Sequence, residues 1–279
     1  MRTIVQPEPP KGSLRFLYYT RFGGLALRLI TRRWLSRLAG AFLDSRLSKP
    51  LIKRFIKKHG VCMEDYLPEK YPSFNAFFTR RIRPELRPFD RAPEAFVSPC
   101  DAALTVYSIT DDLRFTVKGF DYTVETLLQN PALAERYRGG LCVVLRLTVN
   151  DYHRYFFCDD GEAGESAFIK GRLHTVQPAA LGRRRVFTEN CREYTVLHTR
   201  GFGAVTQVEV GAMMVGRIVN EKVANFSRGE EKGRFEFGGS TVILLLEAGK
   251  VVLDEEFFLN SAAEKETLVK CGEKIGIKG

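Results

Sequence analysis

The sequence lacks the features that mark several common classes of protein. It contains one tryptophan, and none of its six cysteines forms a C-x-x-C pair. No apolar run reaches the roughly 18 residues of a membrane-spanning helix, because Arg21, Arg28, Arg32 and Arg33 interrupt the candidates near the start. G-x-S-x-G, P-loop and dinucleotide-binding motifs are also missing. These absences argue against a membrane-spanning protein and against the enzyme classes that those motifs mark.

Cysteine and histidine give only weak indications of a metal site. His59 and Cys62 have the spacing of half a zinc site, and His153 with Cys158 is a looser version of it. His59 also fits the end of a predicted helix and His153 the end of a predicted strand, so no metal is predicted. A chain of 279 residues has no need of a disulfide framework. Without a signal peptide, reduced thiols in a cytoplasmic setting are expected.

The positive charge is concentrated at the start of the chain. The formal net charge is +10, and residues 1–60 hold fourteen Lys and Arg against two acidic residues, Glu8 and Asp44. This segment therefore carries +12, which leaves −2 for residues 61–279. Such an asymmetry indicates an anionic partner for the front segment, either a nucleic acid or a membrane surface.

Two amphipathic helices are predicted in this basic segment. From about residue 24 to 43, apolar residues recur at spacings of three and four, with the arginines mostly off that stripe. The stripe consists of Leu27, Ile30, Trp34, Leu35, Leu38 and Phe42. Ser48 is expected to cap a second helix, which has Pro50 in its first turn and ends at Gly60.

The amphipathic stripe has two structural interpretations. The helices either pack on the rest of the protein, or they lie in a membrane interface with Trp34 in the headgroup layer and arginines on anionic lipid. No nucleic-acid partner is predicted, because the aromatic residues lie on the apolar stripe and do not alternate with the basic ones.

The remainder of the chain reads as one short helix followed by strands. A third helix is predicted to begin at Ser73 and to run through Ile82, and from about residue 96 short β-rich runs alternate with Gly, Asp and Asn. The predicted strands are Leu141–Thr148, Ala167–Leu173, Ala204–Val210, Met213–Val219, Thr241–Glu247 and Val251–Leu253. Helices first and strands later predict an α+β fold with a β-rich core. Residues 1–60 are expected to form a helical extension and residues 61–279 the main domain.

Three motifs can carry chemistry, and each also has an ordinary structural interpretation. Ser98–Asp101 (SPCD) is typical of a turn. Asp151–Arg154 (DYHR) follows a predicted strand, where a lone histidine is more often a hydrogen-bonded structural residue than a catalyst. Phe237–Thr241 (FGGST) precedes the most apolar strand, where paired glycines usually make a tight turn or bulge.

Taken together and in order, the motifs resemble the phosphatidylserine decarboxylase family. The resemblance runs from about residue 70 to 255. It is carried by Phe77–Arg80 (FFTR), Arg87-Pro88, Ser98–Asp101, Asp151–Arg154, Leu173–Pro178 (LHTVQP), Asn190–Arg192 (NCR), Val210–Ala212 (VGA), Val215-Gly216, Lys232-Gly233 and Phe237–Val242 (FGGSTV). The chain is most similar to a prokaryotic-type subgroup with a Gly-Gly-Ser-Thr cleavage motif.

The resemblance implies a pyruvoyl-dependent enzyme that is made as a self-cleaving proenzyme. The Ser240 hydroxyl attacks the Gly239 carbonyl, and elimination and hydrolysis then leave a pyruvoyl group at residue 240. The chain is split into residues 1–239 and 240–279, which stay associated. The pyruvoyl carbonyl forms a Schiff base with the amine of phosphatidylserine and accepts the electrons left by CO2, which yields phosphatidylethanolamine. Because Gly239 has no side chain, its carbonyl can be approached closely, and backbone strain is expected there.

For self-cleavage the resemblance implies an Asp-His-Ser relay, in which Asp101 and Ser240 match the acid and the nucleophile. Many family members carry two histidines three residues apart, and the second takes the relay role. This chain has His153 at the first position and Phe156 at the second. We therefore expect His153 to be the base, and His174, in another family motif, to be the reserve.

Other residues of the family motifs have less definite roles. Gly238 stands where many members have leucine, and it is expected only to loosen the turn. Arg192 either meets a phosphate or carboxylate or forms a structural salt bridge. Asn190 has no assigned role. The aromatic residues Phe74, Phe77 and Phe78 are expected in the core more than in an acyl-chain groove.

The sequence thus predicts a carboxy-lyase that acts on phosphatidylserine at the cytoplasmic side of the cell membrane, as a peripheral protein on an anionic surface. One alternative is a decarboxylase of a related serine phospholipid. Another is an uncleaved, non-enzymatic membrane-binding relative, which Phe156 keeps open and the intact Gly239-Ser240 pair argues against. The sequence leaves the oligomeric state open, and it is compatible with a homo-oligomer.

Overall fold

The computed structural model describes residues 2–6, 12–213 and 217–279, with the exception of the Arg33 side chain. Its helices are α1 (Gly12–Tyr19), α2 (Arg21–Ile30), α3 (Arg33–Asp44), α4 (Lys49–His59), α5 (Phe74–Phe78), α6 (Val124–Leu128), α7 (Pro131–Ala134), α8 (Pro178–Leu181), α9 (Val186–Glu189) and α10 (Glu255–Ala262). Short 3₁₀ turns cover Arg46–Ser48, Met63–Asp65, Pro84–Leu86 and Glu135–Tyr137.

The strands follow mainly after residue 95. They are β1 (Ile4–Val5), β2 (Ala95–Val97), β3 (Ala102–Ser108), β4 (Arg114–Val117), β5 (Phe120–Thr123), β6 (Leu141–Leu147), β7 (Arg154–Phe156), β8 (Gly161–Ile169), β9 (Arg192–Thr199), β10 (Ala204–Val210), β11 (Ile218–Asn220), β12 (Asn225–Phe226), β13 (Glu231–Phe235), β14 (Ser240–Leu246), β15 (Val251–Leu253), β16 (Glu266–Val269) and β17 (Lys274–Lys278). Helices at the start and antiparallel strands after them confirm the predicted α+β class.

The largest sheet among the described residues has the order β1-β16-β3-β6-β14-β10-β9-β8-β12, and each neighbouring pair is antiparallel. Strand β14 lies at its centre, between β6 and β10, and every residue of β14 is buried. A strand covered on both faces needs a continuous apolar run, which the sequence STVILLL supplies after its first two residues. Each buried Ile or Leu of this strand contributes roughly 1.5–3 kcal/mol relative to an exposed position.

The strand predictions are confirmed where hydrophobic runs lie in the central sheet. Strands β10 and β15 have the predicted bounds. Strand β6 ends one residue earlier than predicted, and β14 both begins and ends one residue earlier. The prediction of Ala167–Leu173 was wrong, because β8 ends at Ile169 and the chain then leaves the sheet.

The predicted strand Met213–Val219 lies partly outside the described residues. In the part that the structure describes, a strand is formed at Ile218–Asn220, on a small separate sheet with β13 and β7. The motif pair Val215-Gly216 lies outside the described residues.

Among the helical predictions, the second helix has the predicted bounds, since α4 follows Ser48, has Pro50 in its first turn and ends at His59 before a left-handed Gly60, whereas the first and third differ from the predictions. The helix predicted for residues 24–43 is split at Thr31, whose backbone carbonyl accepts a hydrogen bond from Leu173 N at 3.1 Å instead of continuing a helix. Ser48 does precede α4, but its hydroxyl gives no cap: it donates to Leu43 O at 2.9 Å and accepts from Phe74 N at 2.8 Å. Helix α5 ends at Phe78, far short of Ile82.

A hydrophobic cluster separate from the core around the central sheet joins α3 and α4 to α5. Phe74, Phe77 and Phe78 are at most 3% exposed, and Phe55 of α4 makes edge-to-face contacts with all three. This packing confirms that the three phenylalanines belong to a core. The cluster extends to the FGGST motif, because Phe237 packs on Phe74 and Phe78.

An apolar face remains exposed on α1, α2 and α3 and on the turn after them. We call it the exposed apolar face, and its members are Phe16, Tyr19, Phe22, Leu25, Leu29, Trp34, Leu38, Phe42 and Leu47, each at least 41% exposed. Most of the predicted stripe on α3 therefore points away from the protein core. Within the described residues, no helix is long and apolar enough to cross a membrane.

A fully buried ion pair connects the small sheet to the central one. Lys232 Nζ lies 2.9 Å from Glu209 Oε1 and 3.1 Å from Asn220 Oδ1, and the Lys232 and Glu209 side chains are 2% and 0% exposed. Burial raises the pKa of Glu209, and the Lys232 ammonium opposes that shift. The pair therefore holds β13, which leads into the cleavage motif, against β10.

Replacing Lys232 with methionine is expected to destabilise the protein by roughly 3–5 kcal/mol, because it leaves the Glu209 carboxylate buried without a counter-charge. The double variant Lys232→Met with Glu209→Gln should recover most of this loss. Urea unfolding of both proteins and the parent at neutral pH measures the difference. Equal destabilisation in the single and double variants would contradict the assignment.

Candidate active site

Ser240 is the first residue of the central strand β14 and is 0% exposed. The backbone pairing places it opposite Leu147, the last residue of β6. Its Oγ has no hydrogen-bond partner among the described residues. Buried hydroxyls are ordinarily hydrogen-bonded, so an unpaired one at the end of a core strand is unusual and is free to react.

The backbone before Ser240 departs from the expectation drawn from its two glycines. The positive φ lies at Gly238, with a value of 129°, and not at Gly239. A β-carbon at Gly239 would meet Leu147 O at 3.4 Å and Val176 Cγ2 at 3.6 Å, which are ordinary contacts. The expectation that Gly238 only loosens the turn was therefore wrong, because this backbone conformation is essentially restricted to glycine.

His153 lies beside this glycine turn with one ring nitrogen available. Its Nδ1 is 2.8 Å from Asp151 O, and since a carbonyl can only accept, Nδ1 carries the hydrogen. Its Nε2 is buried and has no hydrogen-bond partner in the described part of the chain. The ring packs on Phe78, with centroids 4.3 Å apart.

Burial lowers the pKa of His153 to about 4, and the backbone carbonyls of Asp151 and Gly238 partly offset the shift. The imidazole is therefore neutral at physiological pH, with its lone pair on Nε2. Because the Gly238 carbonyl acts on the pKa of His153, the ring lies next to the turn that precedes Ser240. A neutral, desolvated imidazole with a free lone pair is the form that a general base requires.

Asp101 is neutralised by an arginine and not by a histidine. Arg87 Nε donates to Asp101 Oδ1 at 2.7 Å and Arg87 Nη2 to Asp101 Oδ2 at 2.5 Å, a bidentate pair. The backbone N–H of Cys271 also donates to Oδ1, at 2.8 Å. Asp101 influences the pKa of His153 through space. The structure thus gathers Asp101, His153 and Ser240 into one region without a direct Asp101–His153 hydrogen bond.

Phe156 occupies an apolar position. Its ring packs on Phe89 and Tyr152, with centroids 5.6 and 6.2 Å apart. Its backbone N–H donates to Pro99 O at 2.9 Å, which ties β7 to the segment that carries Asp101.

His174, the reserve base, is engaged with the helical extension. Its Nδ1 lies 3.3 Å from the Tyr18 hydroxyl of α1, and its Nε2 lies 3.3 Å from Glu189 Oε2, without the alignment of a hydrogen bond. The neighbouring Thr175 N donates to the same Tyr18 hydroxyl at 3.1 Å. His174 and Thr175 therefore link α1 to the LHTVQP motif. The next residue of that motif, Val176, lies beside Gly239.

Arg192 and Asn190 act on the backbone. Arg192 is 0% exposed and donates to the carbonyls of Leu127, Thr126, Thr188 and Asn190, so neither of the roles expected for it, an anion contact or a salt bridge, is found. Asn190 donates to His174 O and Gly211 O and accepts from His174 N. The two side chains fix the loops next to the site.

Sequence reasoning missed three contributors to the site: Asp151, Arg87 and the Cys271 backbone. Asp151 accepts a hydrogen bond from Thr148 N at 2.6 Å, and burial raises its pKa to about 6. A signal existed for two of the three, since Arg87 and Asp151 both stand in the motifs that carry the family resemblance. Nothing in the sequence indicates Cys271, which reaches Asp101 from 170 residues away.

A cavity of about 520 Å³ is lined by α3 on one side and by residues at or near the ends of β8, β9, β10 and β11 on the other. Small residues of α3 line one side, namely Ser36, Gly40 and Ala41. Gly211 lines the other side, and it follows Val210, the partner of Thr241 in the β10–β14 ladder. The cavity therefore reaches the end of the sheet at which Ser240 lies.

Comparison with known proteins assigns the family. A model of the phosphatidylserine decarboxylase family matches residues 74–277. The chain is 44% identical over 266 residues to phosphatidylserine decarboxylase proenzyme 2 of Clostridium acetobutylicum, a match that covers 95% of this chain and 91% of that protein. The corresponding proenzymes of Fusobacterium nucleatum and Ruminiclostridium cellulolyticum are 40% and 38% identical, over 95% and 94% of this chain and 91% and 90% of theirs.

The chain belongs to the phosphatidylserine decarboxylase family. This finding confirms the resemblance seen in the motifs and the prediction of a carboxy-lyase. The relatives are named proenzymes, which agrees with the expectation of a zymogen.

The residues around position 240 fit the pyruvoyl group that the motif resemblance implies. Ser240 Oγ is buried without a partner among the described residues, and so is His153 Nε2, in a ring close enough to Gly238 for its carbonyl to act on the His153 pKa. The preceding glycine turn leaves no side chain beside the carbonyl that a hydroxyl would attack. Ser240 also stands at a strand end, where a new chain terminus can form without removing a residue from the ladder.

Gly238→Ala is expected to destabilise the protein by roughly 1–3 kcal/mol, because alanine must adopt a φ that side chains avoid. Gly239→Ala should cost less than about 1 kcal/mol, since its β-carbon meets only ordinary contacts. Urea unfolding of both variants in a Ser240→Ala background, which keeps one chain length, measures this. Equal losses in the two variants would show that the strain is not at Gly238.

Proposed function

We propose that this chain is a proenzyme that cleaves itself between Gly239 and Ser240 and then decarboxylates phosphatidylserine to phosphatidylethanolamine. The observation that supports it best is the buried, unpaired Ser240 hydroxyl behind a positive-φ glycine, with the free Nε2 of His153 next to the same turn. Family membership and the names of the relatives supply the substrate.

The proposed cleavage begins with proton transfer to His153. Nε2 takes the proton of Ser240 Oγ, and Oγ bonds to the Gly239 carbonyl carbon as the Gly239–Ser240 C–N bond breaks. The imidazolium returns its proton to the released Ser240 nitrogen, which becomes an amine, so Gly239 is now joined to residue 240 as an ester. The carboxylate of Asp101 favours the charged imidazole during this step, because it raises the proton affinity of His153 from a distance.

Elimination and hydrolysis complete the reaction. Loss of the Ser240 α-proton and departure of the Gly239 carboxylate leave a dehydroalanine, and one water converts it to a pyruvoyl group with release of ammonia. When formed, that group supplies a carbonyl for the substrate amine and an acceptor for the electron pair that CO2 leaves behind. The walls of the site, Phe78 and Phe237, keep this region dry, which strengthens the electrostatic interactions within it.

The exposed apolar face supports a peripheral location on the membrane. It concentrates large exposed aromatic and aliphatic side chains on three successive helices, α1–α3, which is unusual for a surface facing water. Exposed arginines accompany it, including Arg15, Arg21, Arg28, Arg32 and Arg37. Apolar side chains in the headgroup layer with cations on anionic lipid are the arrangement of an interfacial helix. We place this face on the cytoplasmic side of the cell membrane.

The cavity under α3 supports access of a phospholipid from that surface. It lies between a membrane-facing helix and the sheet end that holds Ser240, and its volume suits a glycerophosphoserine headgroup. Arg37 and Arg217 line it, although Arg217 is also paired with Glu236 at 2.9 Å. The tails of the lipid have no contact in this structure that would select them, so a related serine phospholipid is a second substrate to assay.

Purified protein is expected to give two chains, residues 1–239 and residues 240–279 with a pyruvoyl-blocked start, whereas Ser240→Ala gives one. His153→Gln should slow the cleavage by roughly 10²-fold or more, since it removes the base and keeps the volume of the ring approximately. Intact-mass spectrometry over time after synthesis measures both. His198→Gln, at an exposed histidine, is the matched control.

A wild-type chain that stays whole would contradict the proposed enzyme and favour the non-enzymatic membrane-binding relative. Cleavage of His153→Gln at the wild-type rate would leave Ser240 in place and remove His153 as the base. Decarboxylation of defined serine lipids by the cleaved protein then decides which headgroup and tails it accepts.

Replacing Phe22 and Leu25 by serine is expected to weaken binding to vesicles of anionic phospholipid by roughly tenfold for each residue, because each loses apolar burial in the interface. These side chains are 81% and 66% exposed, so the fold should be unaffected. The matched control places serine at Leu259 and Val252, which are 64% and 54% exposed elsewhere. Co-sedimentation at low and high salt measures binding, and salt should weaken all variants through the arginines. Equal loss in the control pair would remove the assignment of this face.

A further inference from the structure

Asp151 touches both the proposed base and the strand end opposite the nucleophile. Its backbone carbonyl accepts the Nδ1 hydrogen of His153 at 2.8 Å. Its carboxylate accepts the backbone N–H of Thr148 at 2.6 Å, and its own N–H donates to Thr148 O at 3.1 Å. Thr148 follows Leu147, the residue paired with Ser240. One residue therefore closes the loop that joins the Ser240 pairing partner to His153.

The carbonyl contact determines which nitrogen of the imidazole can act as a base. With Nδ1 held as a donor, the lone pair is on Nε2, the nitrogen without a partner among the described residues. In an Asp-His-Ser relay this orienting task belongs to an acid that accepts from Nδ1. Here the acceptor is the carbonyl of Asp151, since both carboxylate oxygens of Asp101 are engaged by Arg87.

The surroundings of the Asp151 carboxyl disfavour its charged form. It is partly buried, and no Lys or Arg lies within ion-pair distance of it in residues 2–6, 12–213 and 217–279. Arg146, on the neighbouring strand, is paired with Glu266 at 2.9 Å. The charged or titratable groups around it are Asp101, Arg146, His153 and Cys100. Burial, with a further contribution from Asp101, raises its pKa to about 6. A fold that needed only a loop closure at this position would be more stable with a neutral side chain.

We propose that Asp151 is the positioning residue of the self-cleavage base: its backbone sets the tautomer of His153, and its ionised carboxylate holds the Thr148–Asp151 loop against the strand end that carries Ser240. This role replaces the orienting acid of the relay and allows His153 to act although Phe156 stands at the second histidine position. The inference rests on the proposed self-cleavage.

The proposal gives cleavage a pH dependence that His153 alone does not. His153, with a pKa of about 4, is already neutral throughout the range above pH 5 and contributes no change there. Asp151 gains its proton as the pH falls through about 6, and a protonated carboxyl accepts the Thr148 N–H less strongly. The cleavage rate should therefore fall by about tenfold for each pH unit below 6, as for a single titrating group.

Two substitutions separate the loop contact from the charge. Asp151→Asn keeps an oxygen that can accept from Thr148 N but, like the protonated acid, carries no charge, so its cleavage rate should resemble that of the wild type near pH 5, roughly tenfold below the wild-type rate near pH 7, and should not change between about pH 5 and pH 8. Asp151→Ala removes the acceptor, and misplacement of the loop should slow cleavage by roughly tenfold or more at every pH. Asn150→Ala, at the exposed neighbour, is the matched control. Proenzyme made by cell-free synthesis and transferred to buffers between about pH 5 and pH 8 gives the rates by intact mass.

Thermal unfolding in the Ser240→Ala background provides the second readout. The folded pKa of Asp151 lies above its ordinary value of 3.8, so its charged form opposes folding above about pH 6. Asp151→Asn should therefore raise Tm near pH 8 by a few degrees and leave it unchanged near pH 4. A purely structural aspartate would lose stability on this change.

The outcomes are distinct. A wild-type pH profile retained in Asp151→Asn, or a wild-type rate in Asp151→Ala, would overturn the role of Asp151 while leaving cleavage at Ser240 intact. A lower Tm of Asp151→Asn near pH 8 would also overturn it. A wild-type proenzyme that never cleaves would overturn the proposed function itself, and with it this role.

Discussion

The pairing of β14 with β6 and β10 is the constraint on which the rest of the site depends. It fixes Ser240 at the end of a fully buried strand, opposite Leu147, and it makes the strand that begins at the proposed cleavage point one of the most deeply buried in the protein. Cutting the bond before Ser240 leaves every residue of β14 in its place between β6 and β10. The same ladders, together with β17 against β2, then give residues 240–279 their means of staying bound to the remainder.

The site built on this strand is energetically unfavourable in several places at once. Gly238 adopts a φ of 129°, the Oγ of Ser240 and the Nε2 of His153 are buried without partners among the described residues, and the carboxyl of Asp151 is desolvated. Each feature costs of order 1–3 kcal/mol, and they persist together only because the surrounding core over-determines the local structure. Such a concentration of cost at one strand end is the physical mark of a functional site, since unconstrained positions lose unfavourable features readily.

The sequence allowed the β-rich centre to be predicted well and the helical start less well. The bounds of Ala204–Val210 and Val251–Leu253 were predicted correctly, because both are short runs rich in β-branched residues with glycine close by in the flanking turns. The helix break at Thr31 was not predictable, since it depends on a hydrogen bond from Leu173, far along the chain. Motif order identified the family and points to Ser240 as the proposed nucleophile, whereas the partners of Asp101 and the backbone role of Arg192 depend on which loops the fold brings together.

The consequence of having phenylalanine instead of histidine at position 156 cannot be judged from the sequence motif alone. An acid left without its histidine would be a buried charge without compensation, which proteins tolerate poorly. Asp101 is not in that condition, because Arg87 and the Cys271 N–H satisfy it, while Phe156 is accommodated by Phe89 and Tyr152. The surroundings of position 156 therefore suit an apolar residue. The group that orients the His153 ring is the backbone carbonyl of Asp151. Because a carbonyl carries no full charge, it fixes the tautomer without raising the basicity of the imidazole as a carboxylate would. From a distance Asp101 raises the pKa of His153 and Arg80 lowers it, so burial dominates and the pKa is about 4. The proposed base therefore gives up basicity and is neutral at every physiological pH.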